Sequence, residues 1–250
     1  LAGSTSVETR AAFERRFRAI RDGEDRDPAV AIRAYRALID EHPEFAESHY
    51  RLGRLLARAG EWDGAGRHFT LARDLDGFPL RCPSDFQDAI RSAARDQHAI
   101  MVDAPSVLAR VSPHGILDEH LYHDAHHTSL VGLVALANDL LDQLAKRKAF
   151  GWPESIPAPR VEPSECALRF GLDSNKWAEV CERSFDFYVR TAYVRYDPSG
   201  RERAGDLYHR AAIELRSGQI PSETELRALA ISPALVKPAP ALTSNPAASL

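Results

Sequence analysis

From Ser6 to about Arg73, apolar residues recur three and four apart with no convincing alternation, a spacing that predicts consecutive helices and no strands. The same period returns later. Asp85 to Arg95 predicts a helix capped by Ser84 or Asp85. Leu130, Leu133, Val134, Ala137, Leu140, Leu141 and Leu144 predict another, anchored in a core. Asn175 to Arg195 aligns Trp177, Val180, Cys181, Phe185, Tyr188, Ala192 and Tyr193 on one face. After the turn Pro198-Ser199-Gly200, the chain returns as a helix over Arg201 to Ser217, built on Leu207, Tyr208, Ala211, Ala212 and Leu215. Pro221 to Leu229 adds a short helix, with Ser222 and Glu225 spaced as a capping box. His98 to Asp103 breaks the helical pattern: short, apolar and placed after a helix, it predicts a buried parallel strand.

Internal similarity refines the first stretch. With Ala46 as position 1 of a 34-residue unit, Leu52, Gly53, Ala65, Phe69 and Ala72 fall at positions 7, 8, 20, 24 and 27, and one period earlier Ala31, Tyr35 and Pro43 fall at 20, 24 and 32. Small Gly53 and Ala65 permit close approach of paired helices, while Phe69 and Tyr35 fill the grooves. These residues resemble tetratricopeptide repeats over 12–45 and 46–79, the second more closely than the first. The resemblance implies a surface for a protein or peptide partner; packing of two such units on an adjoining domain is the competing expectation.

Composition narrows the function classes. A formal charge of −4 over 250 residues, without a long Lys/Arg block, argues against nucleic acid as a partner. Cys82, Cys166 and Cys181 are too few and too irregularly spaced for a disulfide framework or a Cys-based zinc site, and are expected to be buried or semi-buried thiols. The apolar run from Leu130 is interrupted by Asn138, Asp139, Asp142 and Gln143, so no membrane span is predicted. No signal-peptide pattern opens the chain, and a start at Leu1 is expected of an excised or truncated product.

The chemistry concentrates between Ser112 and Gly132. Ser112-Pro113-His114-Gly115-Ile116 is turn chemistry, followed by Tyr122-His123-Asp124-Ala125-His126-His127-Thr128-Ser129-Leu130-Val131-Gly132, which opens the apolar helix. An Asp three residues before a His suits an acid–base pair: the carboxylate fixes one ring nitrogen, and the other takes a proton from a nucleophile. Thr128 or Ser129 is placed to cap the helix. The two blocks resemble the last block of SGNH/GDSL-type hydrolases, Asp-x-x-His followed by Gly before a C-terminal helix, and more narrowly bacterial proteins in which tetratricopeptide repeats adjoin such a domain. Thr128 stands where that block usually has Pro. The resemblance covers about Asp74 to Leu144 and implies Asp124 and His127 as triad members, an acyl-ester substrate such as an acetylated glycan, and no cofactor.

The same resemblance requires a nucleophilic serine block and Gly and Asn oxyanion donors, and none is assignable here. Gly3-Ser4-Thr5 is only a faint match, with no strand before it. The chain alone is therefore expected to be inactive. A rival metal site would draw on His114, His120, His123, Asp124, His126 and His127, but no His-Glu-x-x-His pattern supports it, and no metal is assigned. The alternative to a hydrolase half is a non-catalytic helical interaction module with a remnant segment.

The expected architecture is mainly α. Tetratricopeptide-like hairpins (6–79) precede the remnant of an α/β/α, flavodoxin-like SGNH domain (80–148), a Pro-rich linker (149–165), a helical hairpin (166–231) and a disordered tail (232–250).

Overall fold

The computed structural model describes residues 6–79, 81–118, 121–124, 127–194 and 198–236. It is mainly helical, with α1 Val7–Arg21, α2 Pro28–Glu41, α3 Ala46–Arg58, α4 Trp62–Asp74, α5 Ser84–Asp96, α6 Ala104–Val111, α7 Leu130–Lys146, α8 Pro163–Arg169, α9 Ser174–Thr191, α10 Ser199–Arg216 and α11 Glu223–Ala228. The chain divides into two compact units between Ala99 and Ile100, which places α5 in the first unit, beyond the expected break at 79/80.

In the first unit, α1 starts at Ser6, whose side chain accepts from the Thr9 N–H, and α2 starts at Asp27, which accepts from Val30 with Pro28 at the first helical position. Their apolar faces bury Phe13, Phe17, Tyr35 and Leu38, and α3 adds Leu52, Leu55 and Leu56. Phe45 meets the rings of Phe13 and Phe17 edge-on at 4.8 and 5.3 Å. Arg51, 2% exposed, binds Glu24 at 3.1 Å and Glu47 at 2.9 Å, while the Tyr35 hydroxyl donates to Glu24 at 2.6 Å. That charged knot ties the α1–α2 turn to α3, and burial beside the Glu24 carboxylate drives the Tyr35 phenol pKa upward. Gly53 lies where an added Cβ would come within 2.9 Å of the Phe69 ring and 3.3 Å of the Ala65 carbonyl, so its missing side chain is what lets α3 and α4 close.

The second unit is organised by a cluster from α8 to α11: Trp177, Ala178, Cys181, Tyr208, Ala211, Ala212, Leu215, Leu226 and Leu229 are buried, joined by Ile231, Leu235 and Val236. α9 is capped by Asp173, and α11 by the capping box of Ser222 and Glu225. α7 packs on α6, with Gly132 against Leu108; a Cβ there would meet Leu108 Cδ2 at 3.1 Å.

Several expectations are corrected. His98 to Asp103 forms no strand: among the described residues there is no strand at all, because an extended segment needs a neighbour to complete its ladder, and Ile100, Met101 and Val102 lie half-buried without one. Helix α6 lies in a stretch whose periodicity predicts none, and α8 begins inside the expected linker. The expected disordered tail is structured at its start: Pro233–Leu235 form a 3-10 turn, and Leu235 and Val236 are buried in the cluster; 237–250 lie outside the described residues. On α7, Val134 is buried, but Leu133 (54% exposed), Ala137 and Leu140 (42%) face outward. Tyr193, assigned to the α9 core face, is exposed, as is the Cys82 thiol; Cys181 is buried, and burial pushes its pKa up to about 12.

Candidate functional site

The Asp124–His127 segment is a short loop closed at its base. Tyr122 and Thr128 form an isolated antiparallel bridge, the His123 N–H donates to the His127 carbonyl at 3.1 Å, and the Ser129 N–H donates to the Leu121 carbonyl at 2.7 Å. Leu121 and Ser129 are buried, so the base of the loop is held. Ser129, not Thr128, caps α7, accepting from the Gly132 N–H at 3.4 Å.

Both oxygens of Asp124 are used on one partner. Oδ1 accepts the His127 backbone N–H at 2.7 Å, and Oδ2 faces the ring Nδ1 at 2.5 Å. A carboxylate accepts and cannot donate, so Nδ1 carries the proton of this contact. The Asp124 side chain is 13% exposed and that of His127 69%, so the acid is sheltered and the base presented. This is the tautomer and orientation that a general base requires.

His123 faces the opposite way. Its ring packs beside that of Trp177, with centroids 6.4 Å apart, and its Nδ1 lies 3.1 Å from the Leu229 carbonyl. Burial lowers its pKa, against the raising effects of the Leu229 carbonyl and the Asp124 carboxylate. Sequence reasoning grouped His123 with candidate metal ligands and missed this role, because its acceptor lies 106 residues further along the chain. Of the other histidines of that rival reading, His114 lies exposed in the turn after α6, while His120 and His126 lie outside the described residues, as does Ser4; among the described residues no three His, Cys, Asp or Glu side chains are grouped to hold a metal. No helix among the described residues is long and apolar enough to cross a membrane.

In the first unit, His49 and His68 face each other with their Nδ1 atoms 3.0 Å apart. The Pro43 carbonyl, 3.0 Å from His49 Nε2, can only accept, so Nε2–H donates to it and His49 Nδ1 accepts from His68 Nδ1–H. Burial, then the nearby His49, Arg67 and Arg36, lower the His68 pKa; the two arginines also disfavour a cation there.

Comparison with known family profiles, with curated proteins and with solved structures finds no match to this chain.

Proposed function

We propose that this chain carries the acid–base half of a serine ester hydrolase of the SGNH/GDSL type, with tetratricopeptide-like helices as a surface for a protein or peptide partner. The observation that supports it is the Asp124 carboxylate 2.5 Å from His127 Nδ1, a sheltered acid beside an imidazole whose side chain is 69% exposed. In this reading a serine supplied from outside the described residues gives its Oγ proton to His127 Nε2 as Oγ attacks the acyl carbonyl. His127 returns that proton to the departing alkoxide, leaving an acyl-serine; it then takes a proton from water as the water oxygen attacks the acyl carbonyl, and gives it to the serine Oγ as the acid leaves. Asp124 holds the ring and stabilises the imidazolium formed in each half-reaction. The substrate class is an acyl ester, an acetylated glycan being one example.

The chain by itself should not hydrolyse activated acyl esters. Joined to a Gly-Asp-Ser-bearing segment encoded upstream in the same frame, it should, with His127→Ala lowering turnover by at least ~10³-fold and Asp124→Asn by roughly 10⁴-fold through the wrong tautomer. Turnover indifferent to His127→Ala would overturn the proposal.

The second reading, a non-catalytic interaction module, is favoured by α5, which buries none of its residues and turns Phe86 and Ile90, four apart, toward solvent. It predicts a chain with no turnover under any pairing and a partner lost on Phe86→Glu.

A further inference from the structure

We propose that the C-terminal helices are the seat of the dyad loop, with His123 as its positioning residue. This rests on reading Asp124 and His127 as an acid–base pair. The loop is held from both flanks by the same cluster: His123 immediately precedes Asp124, and Leu130, the first residue of α7 after the loop, packs against the α8–α11 core.

His123 reaches that core through a specific bond. The Leu229 carbonyl can only accept, so His123 presents Nδ1–H to it at 3.1 Å. Leu229 caps the C-terminus of α11, where carbonyls have no partner within the helix, and His123 supplies one. The Tyr208 hydroxyl donates to the same oxygen at 3.4 Å, which fills its second lone pair.

The acceptor is itself fixed. Ile231 N–H bonds the Leu226 carbonyl at 2.9 Å and Ala230 N–H the Arg227 carbonyl at 3.1 Å, the paired bonds that close a helix through a left-handed residue. That residue is Ala230 at φ 56, a conformation an alanine rarely adopts; the buried Leu229 and Ile231 on either side hold it there.

The link from clamp to base is one residue long. The His123 ring is held by Leu229 while its backbone N–H is held by the His127 carbonyl, so the residue ties the core to the far side of the loop that carries the imidazole. Losing the ring bond frees the backbone that sets Asp124 against His127. The C-terminal extension thus serves the site itself.

The test is ring-nitrogen NMR on the whole chain near neutral pH. His123→Asn keeps a donor close to the Nδ1 position, and His123→Leu fills the space without one. Wild type and His123→Asn should show His127 as a single Nδ1–H tautomer with a low-field proton. In His123→Leu the tautomers should average, and exchange of the His127 backbone N–H should rise by at least ~10-fold while α9 and α10 stay protected. Tyr208→Phe, which removes the other donor to Leu229, should leave the His127 signature in place.

An unchanged His127 in His123→Leu overturns the proposal, as does equal disruption by Tyr208→Phe. Should the Leu variant fail to fold, the Asn variant decides: a folded His123→Asn without the signature overturns it. A wild-type spectrum lacking the tautomer removes the dyad and the proposal together. A dyad that is present but catalytically idle is seen only in the turnover assay and leaves the positioning result standing.

Discussion

A ring nitrogen that faces an obligate acceptor commits a histidine to one tautomer. His49 against Pro43, His123 against Leu229 and His127 against Asp124 are each committed in this way. For His68 and His123, burial also lowers the pKa below the ordinary 6.5, so between the folded value and 6.5 the unfolded chain binds more protons than the folded one. Stability from these two residues is therefore fully present above that range and lost as pH falls through it. Acidification from about pH 7.5 to about 5 should lower the melting temperature, and His68→Asn and His123→Asn should each flatten the dependence. Thermal melts across that range decide; variants as pH-sensitive as the wild type would show that neither ring is held neutral by the fold. The Asp124–His127 pair was legible because acid, base and capping serine lie within six consecutive positions. His123 was not, since only folding brings Leu229 to it.

At the scale of elements, helix periodicity carried most of the reading, since the amphipathic faces of α2, α3, α4, α9 and α10 each found a neighbour close along the chain. Gly53 and Phe69, picked out by their spacing, do meet, and the contact has a testable sign. Gly53→Ala gains about 1 kcal/mol of helix propensity. Forcing a Cβ to within 2.9 Å of the Phe69 ring costs about 1–3 kcal/mol, so a net loss near 1 kcal/mol is expected. In a Phe69→Leu background the crowding ring is gone and the same substitution should become stabilising, a reversal that denaturant titration of the four proteins would reveal. Helix α6 escaped notice because Pro105 opens it and it spans only eight residues, too few to show a period. The segment 98–103 reads as a strand for sound reasons, but strandedness belongs to a pair, and one member was in view. The Pro- and Ala-rich composition after Ser232 concealed Leu235 and Val236, whose burial depends on the pocket left by α8 to α11.

At the scale of the molecule, the second unit combines a well-filled C-terminal cluster with an apolar stripe on α7, where Leu133, Ala137 and Leu140 are exposed. On the proposed function this stripe is where the rest of an α/β layer would pack. Leu133→Lys with Leu140→Glu should weaken binding of a hydrophobic dye such as ANS while changing the melting temperature by no more than a few degrees, because neither side chain is in the core. The same pair of substitutions should abolish turnover in the joined protein. Loss of folding in the isolated chain would instead show that the stripe is covered within it. The dyad differs in kind from this unfinished surface. Acid and base are three residues apart on a single bridged loop, so they travel as one cassette, seated on the C-terminal cluster through His123. On the proposed function, the remaining variable is the distance from Nε2 to a nucleophile, which makes such a site one that is armed by arrival instead of rearrangement.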